Sequence, residues 1–328
     1  MKPLAVALAV LGLAGSASSA PGIVVPHGFR VSVVANGLTH PTAMAWGPGG
    51  RIFVTEDVGR LVELRAGSPR VIASGLKTPL GLAFSGSTAF VSETGRLERM
   101  VLQDGKVASR RVLVGGLPYG EHQQDNVVIG PDRRLYFGSG ATCDACPQKD
   151  ARSAAVISMT MDGRDLRVVA SGLRNPYGLA FQPGTGRLYA SVNGRDTLGA
   201  NEPAEMVVRI RQGARYGFPA CWPSWRLRRL VGSCRGVAGP VAYLEPHSSA
   251  DGIAFWRGGL YVAEWGQYLS ERRGRRVVRI VLGANGSLSR SETTFADGFD
   301  HPLALLPAKS ALLVADWGRG LVYRISPS

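Results

Sequence analysis

The sequence predicts an all-β fold, a six-bladed β-propeller with loop insertions on one face. A unit of about four short strands recurs at a spacing of roughly 40 residues, and about six such units fill the chain after residue 20. No segment has the length and amphipathic pattern of a helix, and the 43 glycines suit many tight turns between short strands. These observations together favour a closed ring of small antiparallel sheets.

Each unit begins with a β-rich strand and a Gly-Leu pair, and a turn with proline follows. A strand of small apolar residues, an aromatic strand and a strand that often ends in Arg-Ile complete it. Small residues suit the crowded inner strands near a central axis. An open solenoid would need capping units, which are not visible, and two β-sandwiches would not explain the regular repeat. The copies are marked by Gly37-Leu38, Gly75-Leu76, Gly116-Leu117, Gly172-Leu173, Gly252-Ile253 and Gly298-Phe299.

Copies three to five carry loops longer than the repeat needs. These loops span residues 143–152, 193–205 and 216–245. Long loops in repeat proteins usually gather on one face and carry function. The functional face is therefore predicted to belong to blades three to five.

The chain is strongly basic, with a formal net charge of +14. Such a charge is compatible with nucleic acid, an acidic surface or an anionic small molecule. The basic residues are spread along strands and turns, and they do not form one cluster. We therefore do not expect nucleic acid as the partner, and an acidic surface and an anionic small molecule both remain open.

The first 20 residues have the pattern of a secretory signal peptide. A lysine precedes an apolar run from Leu4 to Leu13, and small residues offer cleavage sites near Ala17 or Ala20. No later apolar run approaches the length of a membrane span. The prediction is a signal peptide at 1–20 and one propeller domain at 21–328, secreted or periplasmic, with no membrane span.

Four cysteines are consistent with two disulfides in an oxidising compartment. Proximity in sequence pairs Cys143 with Cys146 and Cys221 with Cys234. A zinc site built from all four is an alternative, but the second pair lacks the close spacing of a metal knuckle. A redox-active Cys-x-x-Cys is a further alternative, although this motif lies in a predicted loop and not at a helix N-terminus.

His122 is the candidate general base. It lies in a polar loop, residues 120–126, directly before a short apolar strand. An imidazole at a strand mouth can accept a proton near neutral pH. The alternative for this stretch alone is a solvated loop histidine.

Three other stretches carry candidate binding groups. Arg174 and Asn175 precede Pro176, which keeps the backbone before it extended, and they offer a guanidinium fork and an amide. The loop at 193–202 is rich in oxygen ligands and glycine, as a calcium site requires. The run at 271–276 is rich in arginine, which can bind an anionic ligand. The alternatives are a shaping turn, a solvated loop and a solvated hairpin tip, respectively.

Taken in order, these strings resemble the glucose/sorbosone dehydrogenase family of soluble quinoproteins that use pyrroloquinoline quinone (PQQ), and most closely its sorbosone dehydrogenase branch. The resemblance spans most of the mature chain. The matching strings lie at 120–122 with 130–132, 140–146, 172–176, 193–196 with 198–199, 216–219 with Cys221, and 274–278.

The resemblance implies a role for each candidate. His122 matches the catalytic base, Arg174 and Asn175 match residues that contact the quinone, and Gly194 and Arg195 match backbone ligands of a calcium ion. Arg272 or Arg273 matches a basic cofactor contact. The family usually has arginine before a proline in the last blade, and this chain has His301 at that position. Arg174 is also expected to take part in catalysis.

The function implied is PQQ-dependent oxidation of an aldose or a sugar-derived aldehyde, with calcium and an external electron acceptor. Two alternatives remain open from the residues. A lactonase-like propeller hydrolase would need a metal held by inward carboxylates, for which Glu56, Glu264 and Asp316 end comparable strands. A binding propeller without catalysis would keep the fold alone. The sequence makes no prediction of the oligomeric state.

Overall fold

The structure, a computed structural model, describes residues 22–65, 68–267, 273–283, 286 and 292–328. The predicted signal peptide and Arg272 lie outside the described residues. Strands dominate the fold, and six four-stranded antiparallel sheets form the blades. The all-β, six-bladed propeller prediction is confirmed.

The strands in chain order are β1 (Phe29–Ala35), β2 (Pro41–Trp46), β3 (Ile52–Glu56), β4 (Arg60–Glu63), β5 (Arg70–Ala73), β6 (Gly81–Ser85), β7 (Thr88–Glu93), β8 (Arg96–Gln103), β9 (Lys106–Val114), β10 (Gln124–Ile129), β11 (Arg134–Ser139), β12 (Ala155–Thr160), β13 (Arg167–Ser171), β14 (Leu179–Phe181), β15 (Leu188–Val192), β16 (Glu205–Ile210), β17 (Cys221–Ser224), β18 (Arg229–Gly232), β19 (Ala242–Leu244), β20 (Ala250–Trp256), β21 (Gly259–Glu264), β22 (Arg276–Ile280), β23 (Glu292–Ala296), β24 (Pro302–Ala308), β25 (Ala311–Asp316) and β26 (Leu321–Pro327). A short 3₁₀ helix occupies Pro48–Gly50.

Blades 1 to 6 begin with β2, β6, β10, β14, β20 and β24, and these innermost strands contact one another around the axis. Blade 4 runs β14-β15-β16-β19, and β17 and β18 form a separate hairpin inserted before its outer strand. In blade 6 the outer strand is β1, which pairs antiparallel with β26. The N-terminal strand thus closes the ring.

This closure shifts the blades by one strand relative to the sequence repeat. The first strand of each sequence unit is the outermost strand of the preceding blade, as β5 is for blade 1. The shift arises because β1 pairs with the last blade, so that both chain ends are joined by backbone hydrogen bonds. Each blade therefore contains strands from two sequence units.

The hydrophobic core is divided among the blade interfaces. Six clusters of buried apolar residues each combine side chains from two adjacent blades. Between blades 2 and 3, for example, Phe90 packs with Leu135 and Phe137, which are at most 1 % exposed. Each Å² of apolar surface buried at an interface contributes about 25 cal/mol, so each blade is stabilised by both of its neighbours.

Both predicted cysteine pairs form disulfides, Cys143–Cys146 and Cys221–Cys234. The second joins the start of β17 to the residues after β18 and so closes the inserted hairpin. All four sulfurs are consumed in these bonds, which leaves no thiolates for the zinc alternative. Within the described ranges no helix is long and apolar enough to cross a membrane.

Buried glutamates on strands other than the innermost one of each blade form ion pairs with arginines. Glu56 pairs with Arg60, Glu98 pairs with Arg96 and Arg110, and Glu264 pairs with Arg276. The same arrangement occurs in blades 1, 2 and 5; the other pairs are Glu63 with Arg51 and Arg65, and Glu93 with Arg96.

Glu63→Gln is expected to lower the free energy of unfolding by about 2 kcal/mol, because the side chain is 1 % exposed and accepts hydrogen bonds from Arg51 and Arg65. Urea unfolding of the variant against wild type measures the change. Glu121→Gln, at an exposed position, is the matched control. Equal stability of the two variants would show that these buried ion pairs contribute nothing.

Candidate functional site

The candidate site lies at the mouth of the ring where the innermost strands begin. All blades have the same orientation, so residues that precede an innermost strand reach the same face. His122 precedes β10, Asn175 precedes β14 and His301 precedes β24. The repeat therefore brings together groups that are up to 180 residues apart in the sequence.

His122 and Asn175 lie on either side of Gly140. A methyl group added at Gly140 would be 2.3 Å from His122 Cβ and 2.7 Å from Asn175 Oδ1. Backbone bonds hold the three segments together: the His122 amide donates to the Ala141 carbonyl, and the Ala141 amide donates to the Arg174 carbonyl. Nε2 of His122 and Oδ1 of Asn175 are buried and have no hydrogen-bond partner. These atoms are available to a ligand.

Arg174 is buried and held by two carboxylates. Its Nη2 donates to Asp144 Oδ1 at 2.8 Å and to Asp196 Oδ2 at 2.9 Å, and its Nε donates to the Asp144 carbonyl. The backbone amide of Asp196 also donates to Asp144 Oδ1. Asp196 further contacts Nδ1 of His247 at 3.5 Å, and that pairing raises the pKa of His247. The guanidinium is therefore fixed in place before any ligand binds.

His122 is a neutral imidazole at physiological pH. Burial and, to a smaller extent, the positive charge of Arg174 lower its pKa to about 4. The carboxylates of Asp196 and Asp144 act in the opposite direction. A neutral ring with a free nitrogen can accept a proton, and the two carboxylates favour the imidazolium that results.

The loop after β15 carries the predicted metal positions. The Asn193 amide donates to the Asn175 carbonyl at 3.0 Å, which places Gly194 and Arg195 beside the His122 group. The amide of Gly194 donates to Glu205, whose pKa burial raises to about 7. The guanidinium of Arg195 lies 5.3 Å from the ring of Trp222, and its Nε is buried without a partner.

Arg273 and His301 occupy blades 5 and 6 of the same face. Arg273 donates to the Pro246 carbonyl and to Asn201 Oδ1. The ring of His301 lies 4.0 Å from that of Trp265, and burial lowers its pKa. The hydrogen bonds and ion pairs of the described residues do not join these two side chains to His122. Backbone hydrogen bonds thus join the segments that carry His122, Arg174 with Asn175, and Gly194 with Arg195, and among the described residues none of these bonds extends to Arg273 or His301.

Several functional residues were not singled out from the sequence. Asp144 lies inside the Cys143–Cys146 loop, and Asp196 was noted only as part of an oxygen-rich loop. Their partner Arg174 is 30 and 22 residues away, so no local pattern could reveal the pairing. The available signal was the presence of both acids in the long loops of blades 3 and 4.

The three carboxylates of the hydrolase alternative are engaged separately. Glu56 accepts from the Thr39 amide and from Arg60, and Asp316 accepts from the amides of Asp300 and His301. Glu264 pairs with Arg276 in blade 5. Each carboxylate therefore ties loops within its own blade. Within the described ranges, no group of three or more His, Cys, Asp or Glu side chains is arranged to hold a metal ion.

Comparison with known proteins decides the family. The family model described as Glucose / Sorbosone dehydrogenase matches residues 82–299, about two thirds of the chain. The chain belongs to the glucose/sorbosone dehydrogenase family. The matched region includes His122, Arg174 and Gly194, so the group at the ring mouth lies within the part of the chain that the family defines.

One relative of this family member is Quinoprotein glucose dehydrogenase B of Acinetobacter calcoaceticus, which is 23% identical over 257 residues. The match covers 58% of this chain and 52% of that protein. The holo PQQ domain of pyranose dehydrogenase from Coprinopsis cinerea has a TM-score of 0.82 at 19% identity, with coverage of 94% and 98%. The PQQ-bound aldose sugar dehydrogenase of Streptomyces coelicolor has a TM-score of 0.73 at 24% identity, with coverage of 92% and 100%. These structural likenesses establish the fold.

Proposed function

We propose that this protein is a PQQ-dependent dehydrogenase that oxidises an aldose or a sugar-derived aldehyde and passes the electrons to an external acceptor. The observation that carries the proposal is His122, a neutral imidazole with a buried, unpartnered Nε2 in a family of sugar dehydrogenases. The PQQ-containing relatives support the choice of cofactor. The two disulfides fit a secreted or periplasmic location.

Arginine at the ring mouth fits a cofactor with three carboxylates. Arg195 Nε is a buried donor without a partner, and the guanidinium of Arg195 adds a positive charge. In the proposal Arg174, Asn175, Arg273 and His301 hold PQQ, together with Arg272, which lies outside the described residues. Bidentate arginine contacts are well suited to carboxylates.

Bound PQQ would supply an electrophilic quinone as the hydride acceptor, and the Gly194 and Arg195 carbonyls would hold a calcium ion that would make this quinone more electrophilic. His122 Nε2 accepts the hydroxyl proton of the sugar. Arg174 keeps the imidazole neutral before the reaction. The carboxylates of Asp196 and Asp144, which act to raise the pKa of His122, then stabilise the imidazolium, and their hydrogen bonds hold Arg174 in place.

The decisive experiment is a titration of purified protein with PQQ, with and without calcium, followed by absorbance. Saturable binding that strengthens with calcium, and sugar-dependent reduction of an artificial acceptor by the loaded protein, are the expected results. Absence of PQQ binding at every calcium concentration would favour a binding propeller. Metal-dependent lactone hydrolysis without PQQ would favour the hydrolase alternative.

The pH dependence of the reaction is expected to report the charge of Arg174. Arg174→Gln removes the positive charge that lowers the pKa of His122, so the pKa rises and the ring becomes protonated at a higher pH. The acidic limb of kcat/KM, expected near pH 4 in wild type, should therefore move to higher pH in the variant.

NMR titration of His122 in the PQQ-free protein measures the same shift without activity. Arg273→Gln is the matched control, because Arg273 is not among the charges that shift the pKa of His122. The acidic limb of kcat/KM in Arg273→Gln should therefore stay at the wild-type pH. An unchanged or lowered His122 pKa in Arg174→Gln would contradict the assignment.

A further inference from the structure

Two carboxylates lie deep in the ring where the proposed reaction does not use them. Asp125 is the second residue of β10 and Asp251 the second residue of β20, both on innermost strands. They are 1 % and 3 % exposed. Burial raises the pKa of both, and the charge of Asp251 raises that of Asp125 further, which places the two carboxylates within electrostatic reach of each other.

Neither aspartate has a basic partner among the described residues. This contrasts with five buried glutamates, Glu56, Glu63, Glu93, Glu98 and Glu264, each of which pairs with an arginine. The chain has a net charge of +14 and therefore an excess of basic residues, yet among the described residues none neutralises Asp125 or Asp251. Burying carboxylates without a counter-charge is costly unless another cation is present.

Two neutral oxygens lie beside these carboxylates without partners. Asn193 donates its amide to Asp251 Oδ1 at 2.9 Å, which leaves Asn193 Oδ1 buried and unpaired. The hydroxyl of Tyr177 has no hydrogen bond, and the charges of Asp251 and Asp125 both act on it. Both side chains are 9 % exposed, and Asp125 Oδ2 is also without a partner. Unpaired oxygens from blades 3 and 4 thus surround the carboxylate pair.

Tyr177 faces a cavity on the axis. The lining comes from all six blades or the loops that lead into them: Thr42, Leu80, Asn126, Tyr177, Gly252 and Leu303. Asn126 and Gly252 directly follow the two aspartates in sequence. Of the four oxygen-bearing side chains, Tyr177 lines this space, and its backbone carbonyl accepts a hydrogen bond from the amide of Asn126, the residue after Asp125.

We propose that Asp125, Asp251, Asn193 and Tyr177 bind one hard divalent cation on the propeller axis. Carboxylate, amide and hydroxyl oxygens are the ligands that calcium and magnesium prefer, and a charge of +2 balances the two carboxylates. The site is distinct from the calcium proposed at the Gly194 and Arg195 carbonyls. The ion joins strands and loops of blades 3, 4 and 5, so its role is to hold the ring together beneath the catalytic mouth.

Calcium binding by the PQQ-free, chelator-stripped protein tests the proposal. Asp125→Asn/Asp251→Asn keeps the shapes of both side chains and removes the charges. The variant is expected to bind one calcium ion fewer per chain by equilibrium dialysis and metal analysis. Its calcium-dependent rise in Tm should also be smaller than that of wild type, by about 5 °C at calcium 100-fold above the Kd of this site. Equal stoichiometry and equal Tm shifts in variant and wild type would overturn the site.

Asp132→Asn/Asp165→Asn, a pair of more exposed acids, is the matched control and should keep the full stoichiometry and Tm shift. Tyr177→Phe retains both aspartates and removes one ligand, so its calcium affinity should fall about 10-fold. This second variant decides the matter if the double variant does not fold, and an unchanged affinity would refute the ligand role of Tyr177. Since no measurement uses PQQ or sugar, the result is independent of the proposed dehydrogenase activity.

Discussion

His122→Ala is expected to lower kcat for sugar oxidation by about 10²–10⁴-fold while PQQ still binds. The imidazole is neutral at working pH because burial and Arg174 lower its pKa to about 4. Its Nε2 is the buried, unpartnered acceptor at the ring mouth, next to Asn175. Removing the ring takes away the base and leaves the other described contacts of the site in place. Steady-state kinetics with an artificial acceptor measure the loss.

Glu121→Gln is the control for this prediction. Glu121 is exposed, and its backbone amide, not its side chain, is bonded to the Thr142 carbonyl. Its replacement should leave kcat within about twofold of wild type. Turnover by His122→Ala at the wild-type rate would remove His122 as the base, whatever the effect of Glu121→Gln.

Gly140→Ala is expected to reduce kcat/KM by about 10²-fold without unfolding the protein. The added methyl group would lie 2.3 Å from His122 Cβ and 2.7 Å from Asn175 Oδ1, so at least one of these side chains must move. A displacement of about 1 Å is enough to misalign a base with its substrate. Kinetics give the loss, and thermal unfolding verifies that the fold persists.

Gly239→Ala is the matched control because a methyl group at Gly239 would meet nothing within 4 Å. Like Gly140, Gly239 does not have a positive φ, so neither substitution strains the backbone by itself. Wild-type kinetics for Gly140→Ala would mean that His122 and Asn175 can shift freely, and the proposed alignment would then be wrong.

The sequence predicted much of the fold because the blades of a propeller correspond to a recurring sequence unit. The small inner strands and the Gly-Leu pairs, repeated about six times, were sufficient to predict the six blades. The disulfides followed from spacing because residues three and thirteen apart in one loop or hairpin are already close. His122 and Arg174 could be chosen as candidates because each lies directly before an innermost strand.

What the sequence could not supply was the partners of these residues. The sequence shows that Arg174 has a guanidinium, but not that Asp144 and Asp196 bind it, because neither carboxylate is near Arg174 in the sequence. The same holds for Gly140, whose importance is the distance to His122 and Asn175.

By itself the sequence determined which chemical group each candidate residue carries and at which end of its blade that residue lies. This was possible because strand alternation and turn chemistry depend on neighbouring residues in the sequence. Only the tertiary structure decided which groups meet. Ring closure by β1 depends on pairing between distant parts of the chain. The burial of Asp125 and Asp251, and the burial and charges that lower the pKa of His122, likewise depend on contacts between blades.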